Sequence, residues 1–180
     1  MNAKQTALIN DFISYLSDDE KHIYGEIIDL FSELGYIPQR KRVGDFTLSF
    51  KHRTNGKVIG KISFGRQKCS LRIKFFACGD VPEKYTKALY DEAVENENRY
   101  SRDVPPPDDE PVPSDAIMKK CTLQCAVCTG GKMRYYLTFP DGRRIFRCGA
   151  YPVLIPDVAA SDIADIKRLI VEQHNYFLSI

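Results

Sequence analysis

The sequence predicts an α+β fold in which helices cover one face of an antiparallel sheet. Three observations carry this. Two amphipathic helical repeats open the chain, three alternating apolar strands follow in close succession, and a last amphipathic helix closes it.

The elements follow in order. Leu8, Phe12 and Leu16 recur at helical spacing over residues 4–16. Ser17 to Glu20 (SDDE) forms a capping box with acids at the positive end of the helix dipole, opening a second helix. That helix buries Ile23, Ile27, Phe31 and Leu34, flanked by Tyr24 and Ile28, and stops at Gly35, with Pro38 just beyond. In DFTLSFKH, Phe46, Leu48 and Phe50 alternate with Thr47, Ser49 and Lys51. An Asn-Gly pair at 55–56 signals a hairpin. The return strand KVIGKISF sets Val58, Ile62 and Phe64 against Lys57 and Lys61, and CSLRIKFFA sets Cys69, Leu71, Ile73 and Phe75 against Arg72 and Lys74. A three-stranded meander with one apolar face needs a helical cover. The N-terminal pair supplies it, together with a helix over 82–100 that carries Tyr85, Leu89 and Ala93.

Five prolines and four acids within residues 101–114 preclude helix and central strand, so this stretch reads as a linker or a strap. It divides the chain into a helix–meander–helix unit, 1–100, and a second unit, 115–180, packed with the first. After a short helical turn near 114–120, KMRYYLTF and RRIFRC flank a Pro-Asp-Gly turn and form a second hairpin. YPVLIP is a short extended piece. Ser161 caps a final helix whose stripe is Ile163, Ile166, Ile170 and Phe177.

Net charge is only +2, but its distribution is uneven. Residues 40–74 hold eleven Lys or Arg and a single acid, Asp45; residues 119–147 hold seven and a single acid, Asp141. Strand alternation puts Lys51, Lys57, Lys61, Arg72 and Lys74 on the face opposite the phenylalanines, a surface suited to an anionic partner such as nucleic acid or an acidic protein. Arg134, Arg143, Arg144 and Arg147, with Tyr135, Tyr136 and Phe146, form a second candidate patch. The alternative is a solvated outer face on which lysine guards against edge-to-edge aggregation.

Cys121, Cys125 and Cys128 crowd into eight residues. The N-terminus lacks a secretory pattern and no apolar run approaches a membrane span, so the expected setting is the reducing cytoplasm, without membrane insertion. There, clustered cysteines bind metal or do redox chemistry more often than they pair. Written C-x-L-x-C-x-x-C, the cluster resembles the iron–sulfur motif of radical S-adenosylmethionine enzymes. That resemblance implies an iron–sulfur cluster held by three thiolates with an open iron, inside a barrel of parallel strand–helix units. The chain after Cys128 has room for about one such unit.

A closed site needs a fourth ligand. A hairpin turning at Pro140 to Gly142 returns Cys148 opposite residue 133 or 134, within about 20 Å of chain from Cys128. Gly130 and Gly131 ease that return. Four thiolates, Cys121, Cys125, Cys128 and Cys148, would hold zinc in a tetrahedron, and Lys119, Lys120, Lys132, Arg134 and Arg147 would favour the deprotonated ligands. The knuckle-then-hairpin layout resembles a zinc ribbon, with three cysteines from one end and one from the other in place of two pairs. Unligated cysteines packing as small hydrophobes are the alternative. Cys69 falls on the inward register of its strand; Cys78, beside Gly79, reads as a core or a reactive thiol.

The function these features support is a zinc-stabilised, non-enzymatic binding protein with an anionic partner. A thiol, metal or small-ligand sensor is one alternative, and a metal- or thiol-dependent enzyme is another. No serine–histidine–acid arrangement and no phosphate loop is present in the sequence.

Overall fold

In the computed structural model, residues 2–41, 44–100, 134–138, 144–148 and 152–179 are described; within these, the side chains of 93–100 and of the two strands at 134–148 are not. The chain runs α1 (Ala3–Ile13), α2 (Asp18–Glu33), β1 (Tyr36–Arg40), β2 (Phe46–His52), β3 (Val58–Gly65), β4 (Lys68–Ile73), α3 (Glu83–Tyr100), β5 (Arg134–Thr138), β6 (Arg144–Cys148), β7 (Val153–Ile155) and, after a 3-10 turn, α4 (Ile163–Ser179). The fold is α+β, with a five-stranded antiparallel sheet ordered β1-β2-β3-β4-β7 and a separate β5-β6 pair.

The helix starts are encoded locally. Ser17 and Glu20 form the capping box of α2, the Ser17 hydroxyl accepting from the Glu20 amide and the Glu20 carboxylate accepting from the Ser17 amide. Asn2 and Gln5 do the same for α1. The other Glu20 oxygen accepts from the Cys69 amide at 3.1 Å, so one carboxylate ties the start of α2 to β4. Burial opposes its ionisation, yet these amide bonds hold the Glu20 carboxyl below its ordinary pKa.

The three-stranded meander is thus the middle of a larger sheet. β1 contains Pro38, which a central strand would exclude; as the edge, β1 needs only one side of its backbone for pairing. β7 pairs with β4, Leu71 opposite Ile155 and Ile73 opposite Val153, so residues 152–179 supply both a strand and a helix to the same core.

Along β2, Leu48 and Phe50 are fully buried, as are Ile62 on β3 and Leu71 and Ile73 on β4. Phe31 of α2 stacks on Phe50 at 4.4 Å between ring centroids and meets Tyr36 edge-on; Phe12 of α1 meets Phe46 edge-on at 5.3 Å. Ile166, Leu169, Ile170 and Phe177 of α4 complete the core, with Tyr85 and Leu89 of α3.

Two local details depart from simple alternation. The Asn-Gly pair is not a two-residue turn. His52 and Lys57 close a longer loop, with Gly56 at φ +69° donating to the His52 carbonyl. Asn55 accepts from the Lys57 amide and donates to the Phe177 carbonyl of α4. Just after it, the register slips: Phe50 pairs with Gly60 but Lys51 with Val58. The extra residue, Ile59, is fully buried, whereas Val58, expected inward, is only half-buried. The last helix also starts differently, entering through a 3-10 turn capped at Ala159, whose amide donates to Asp162, rather than at Ser161.

Candidate anion-binding face

The outer face of the sheet is set by the same pairings. Alternation with Leu48, Phe50, Ile62, Leu71 and Ile73 puts Thr47, Ser49, Lys51, Lys61, Ser63, Ser70 and Arg72 on the side away from the aromatic core. Lys61 lies between Ser49 on β2 and Arg72 on β4 as direct cross-strand partners. Ser63 pairs with Ser70 and with Thr47, and the Thr47 and Ser63 hydroxyls share a 2.8 Å hydrogen bond. Lys41 joins from the end of β1, its amide donating to the Thr47 carbonyl.

Among the described residues, like charges meet at the centre of this face. Burial first, and then the neighbouring positive charges of Lys41 and Arg72, lower the Lys61 pKa. Among the described residues, no carboxylate lies within ion-pair distance of Lys41, Lys51, Lys61 or Arg72. Several lysines elsewhere are matched: Lys21 with Asp18, Lys68 with Asp157, Lys84 with Asp162, Lys167 with Glu26.

Two of the expected cations leave this face. Lys57 lies before the bulge, in the register of inward-facing His52, and its Nζ donates to the Phe177 carbonyl at 3.1 Å. There it caps the C-terminal end of α4, where the helix dipole favours a cation. Lys74 lies past the end of β4, with its Nζ 5.7 Å from the Phe177 ring centroid and only 6% of its surface exposed. The bulge changed the parity for Lys57, and Lys74, whose amide donates to the carbonyl of the bulged Ile59, lies opposite the same irregularity. Lys51, Lys61 and Arg72 remain together.

The arginine patch and the cysteine cluster fall partly outside the description. Cys121, Cys125, Cys128 and Arg143 lie outside the described residues. The β5–β6 register pairs Arg134 with Cys148, Tyr135 with Arg147, and Thr138 with Arg144. Among the described residues, no group of three or more His, Cys, Asp or Glu is arranged to hold a metal ion.

The remaining thiols are quiet. Cys69 is buried, and desolvation pushes its pKa up to about 12. Cys78 donates to the Leu169 carbonyl at 3.3 Å; burial, with the Glu172 charge, pushes it up to about 12 as well. Neither is a thiolate at neutral pH, so Cys78 lacks the activation a reactive thiol needs.

Sequence reasoning missed Lys41 and the hydroxyl row. Lys41 follows an edge strand hidden by Pro38. The hydroxyls emerge as a row only once three strands are aligned.

The architecture therefore defines a class: an α+β protein whose antiparallel sheet is apolar on its helix-covered side and cationic, with hydroxyls, on the other. No family model matches the chain, and neither curated proteins nor solved structures give a match. No helix among the described residues is long and apolar enough to cross a membrane.

Proposed function

We propose that this is a zinc-stabilised, non-enzymatic binding protein that engages an anionic partner, nucleic acid or an acidic protein surface, through the outer face of its sheet. The observation that carries this reading is Lys61 set between Arg72 and Lys41 with no described carboxylate to neutralise them. Holding like charges together costs stability, and an approaching polyanion relieves that cost. The half-buried Thr47–Ser63 hydroxyl pair keeps one O–H as a donor suited to phosphate or carboxylate oxygens.

Zinc enters through Cys121, Cys125, Cys128 and Cys148. The Arg134–Cys148 pairing supports this, because it sets position 148 opposite a residue only six positions after Cys128 in the sequence. Four thiolates leave no open metal position, so the metal's role is structural.

Heparin and nucleic-acid retention test the binding face. A Lys41→Ala, Lys61→Ala, Arg72→Ala variant should elute at lower salt, with the salt slope shallower by about 0.7–0.9 per lost phosphate contact. Lys74→Ala should elute near wild type. Unchanged retention in the triple variant removes the outer face from binding. Elemental analysis of purified protein tests the metal: one zinc per chain is expected, and full zinc in Cys148→Ser removes that ligand.

A further inference from the structure

The cationic face also holds an amine unlike the others. Of the described lysines, Lys21, Lys68, Lys84, Lys87 and Lys167 each contact a carboxylate, which keeps an amine protonated and hydrogen-bonded. Lys57 donates to the Phe177 carbonyl, and Lys74 is buried over the Phe177 ring. Lys61 has the opposite surroundings: half-buried, opposite Arg72, beside Lys41, and next to the buried Ser49. Two neighbouring cations and partial desolvation are the conditions that free a lysine amine for nucleophilic attack.

We propose that Lys61 is a reactive amine that condenses with small carbonyl compounds bearing a phosphate or similar oxyanion, which Lys41, Arg72 and the adjacent hydroxyls hold in place. This rests on the reading of the face as an anion site and deepens it by naming a small-molecule chemistry at its centre. The chemistry balances without a co-reactant. The Lys61 ammonium releases a proton to solvent, and the amine lone pair adds to the carbonyl carbon. The carbonyl oxygen then leaves as water, giving a carbon–nitrogen double bond. The oxyanion takes no part in bond making; held by Lys41 and Arg72, it docks the carbonyl carbon beside the Lys61 amine. The Thr47–Ser63 hydroxyl pair keeps one O–H with which to donate to it.

Pyridoxal 5′-phosphate is a suitable probe, with borohydride supplying the hydride that fixes the imine as a secondary amine. Limited labelling of the full chain at pH 8, followed by peptide mapping, should place severalfold more label on Lys61 than on any other lysine. Pyridoxal without the phosphate should lose that preference, and heparin should suppress it. In Lys61→Arg the label should vanish from that peptide, while the circular dichroism spectrum stays as in wild type. Even labelling across lysines, or equal selectivity with pyridoxal, overturns the proposal. Labelling and retention are independent readouts, so the two readings separate. Lost Lys61 selectivity with intact, face-dependent heparin retention defeats the reactive amine alone. Selective labelling with retention indifferent to Lys41, Lys61 and Arg72 defeats the polyanion reading alone.

Discussion

The two faces of the five-stranded sheet alternate residue by residue along the same strands, yet they obey opposite rules. On the inner face every large side chain has a partner: Phe50 stacks on Phe31, Phe46 meets Phe12, and Ile62, Leu71 and Ile73 are sealed beneath helices. On the outer face, Lys61 and Arg72 pair across strands with like charge, and Lys41 adds to it. The first arrangement lowers free energy on folding; the second, among the described residues, sets like charges side by side. Side chains that build the core and side chains that concentrate charge thus separate by parity along one backbone.

Substitution should separate the faces most sharply at their centres. Phe31→Ala removes a fully buried ring and should cost about 3–5 kcal/mol of stability in urea unfolding. Lys61→Ala on the other face should change stability by less than about 0.5 kcal/mol while lowering heparin retention. A Lys61→Ala protein destabilised as much as Phe31→Ala would mean that the outer face is structural.

Gly60 tests the contact between the faces. A Cβ there would sit 3.0 Å from the Phe31 Cζ, 3.0 Å from the Arg72 carbonyl oxygen and 3.2 Å from the Ile73 Cγ2. The helix and the neighbouring strand have closed on this position because it lacks a side chain. Gly60→Ala should cost about 1–3 kcal/mol, read as a lower urea midpoint. Because it also pushes on the Arg72 backbone, heparin retention should fall with it.

Much of the inner face was legible in the sequence, and less of the outer one. Helix starts are announced by local chemistry, as Ser17 and Glu20 show, and apolar periodicity gave Ile27, Phe31, Leu71 and Ile170 their inward places. The Pro-Asp-Gly turn alone put Cys148 opposite residue 133 or 134, and the pairing is with Arg134. What failed were features decided at a distance. Pro38 argues against a strand until the chain is known to place it at an edge. The Ile59 bulge reverses parity for everything before it, so Lys57 was assigned to the wrong side. Pairing of β7 with β4 spans some eighty residues, and no local pattern specifies it. A face defined by cross-strand neighbours inherits each of these errors, whereas a buried stripe tolerates them.

Among the buried polar groups of the inner face, a histidine pair responds to acid. His174 Nδ1 lies 3.2 Å from the Tyr36 hydroxyl, and the His52 and His174 rings stand 5.6 Å apart, both buried. His52 Nδ1 accepts from the Asn55 amide. Among the described residues no carboxylate pairs with either ring, and the nearby Lys57 is itself cationic. Burial, then the His52 charge, lowers the His174 pKa. A lowered folded-state pKa means that the unfolded chain binds the proton first. This contribution to stability is therefore intact above about pH 6.5 and lost as pH falls through the lower folded value. For one proton the slope reaches at most about 1.4 kcal/mol per pH unit. Comparing urea midpoints at pH 7 and pH 5, His174→Gln should lose less stability on acidification than wild type. An equal loss in both would place the acid sensitivity elsewhere.

The smallest effect concerns the turn that sets both faces in register. Arg66 and Gln67 join β3 to β4 with φ of +51° and +61°, a left-handed pair that Asn-Gly fills without strain. Neither side chain relieves its own backbone, and the closing pair, Gly65 with Lys68, already fixes the hairpin. Arg66→Asn with Gln67→Gly should therefore raise stability by about 0.5–1 kcal/mol, read as a higher urea midpoint. The substitution removes a cation from the hairpin tip without touching the Lys61–Arg72 pair. If the anion site is confined to the centre of the outer face, heparin elution stays where it was while the midpoint rises. If elution falls as well, the strained turn holds Arg66 for binding, and the cationic surface extends past the end of the sheet to its tip.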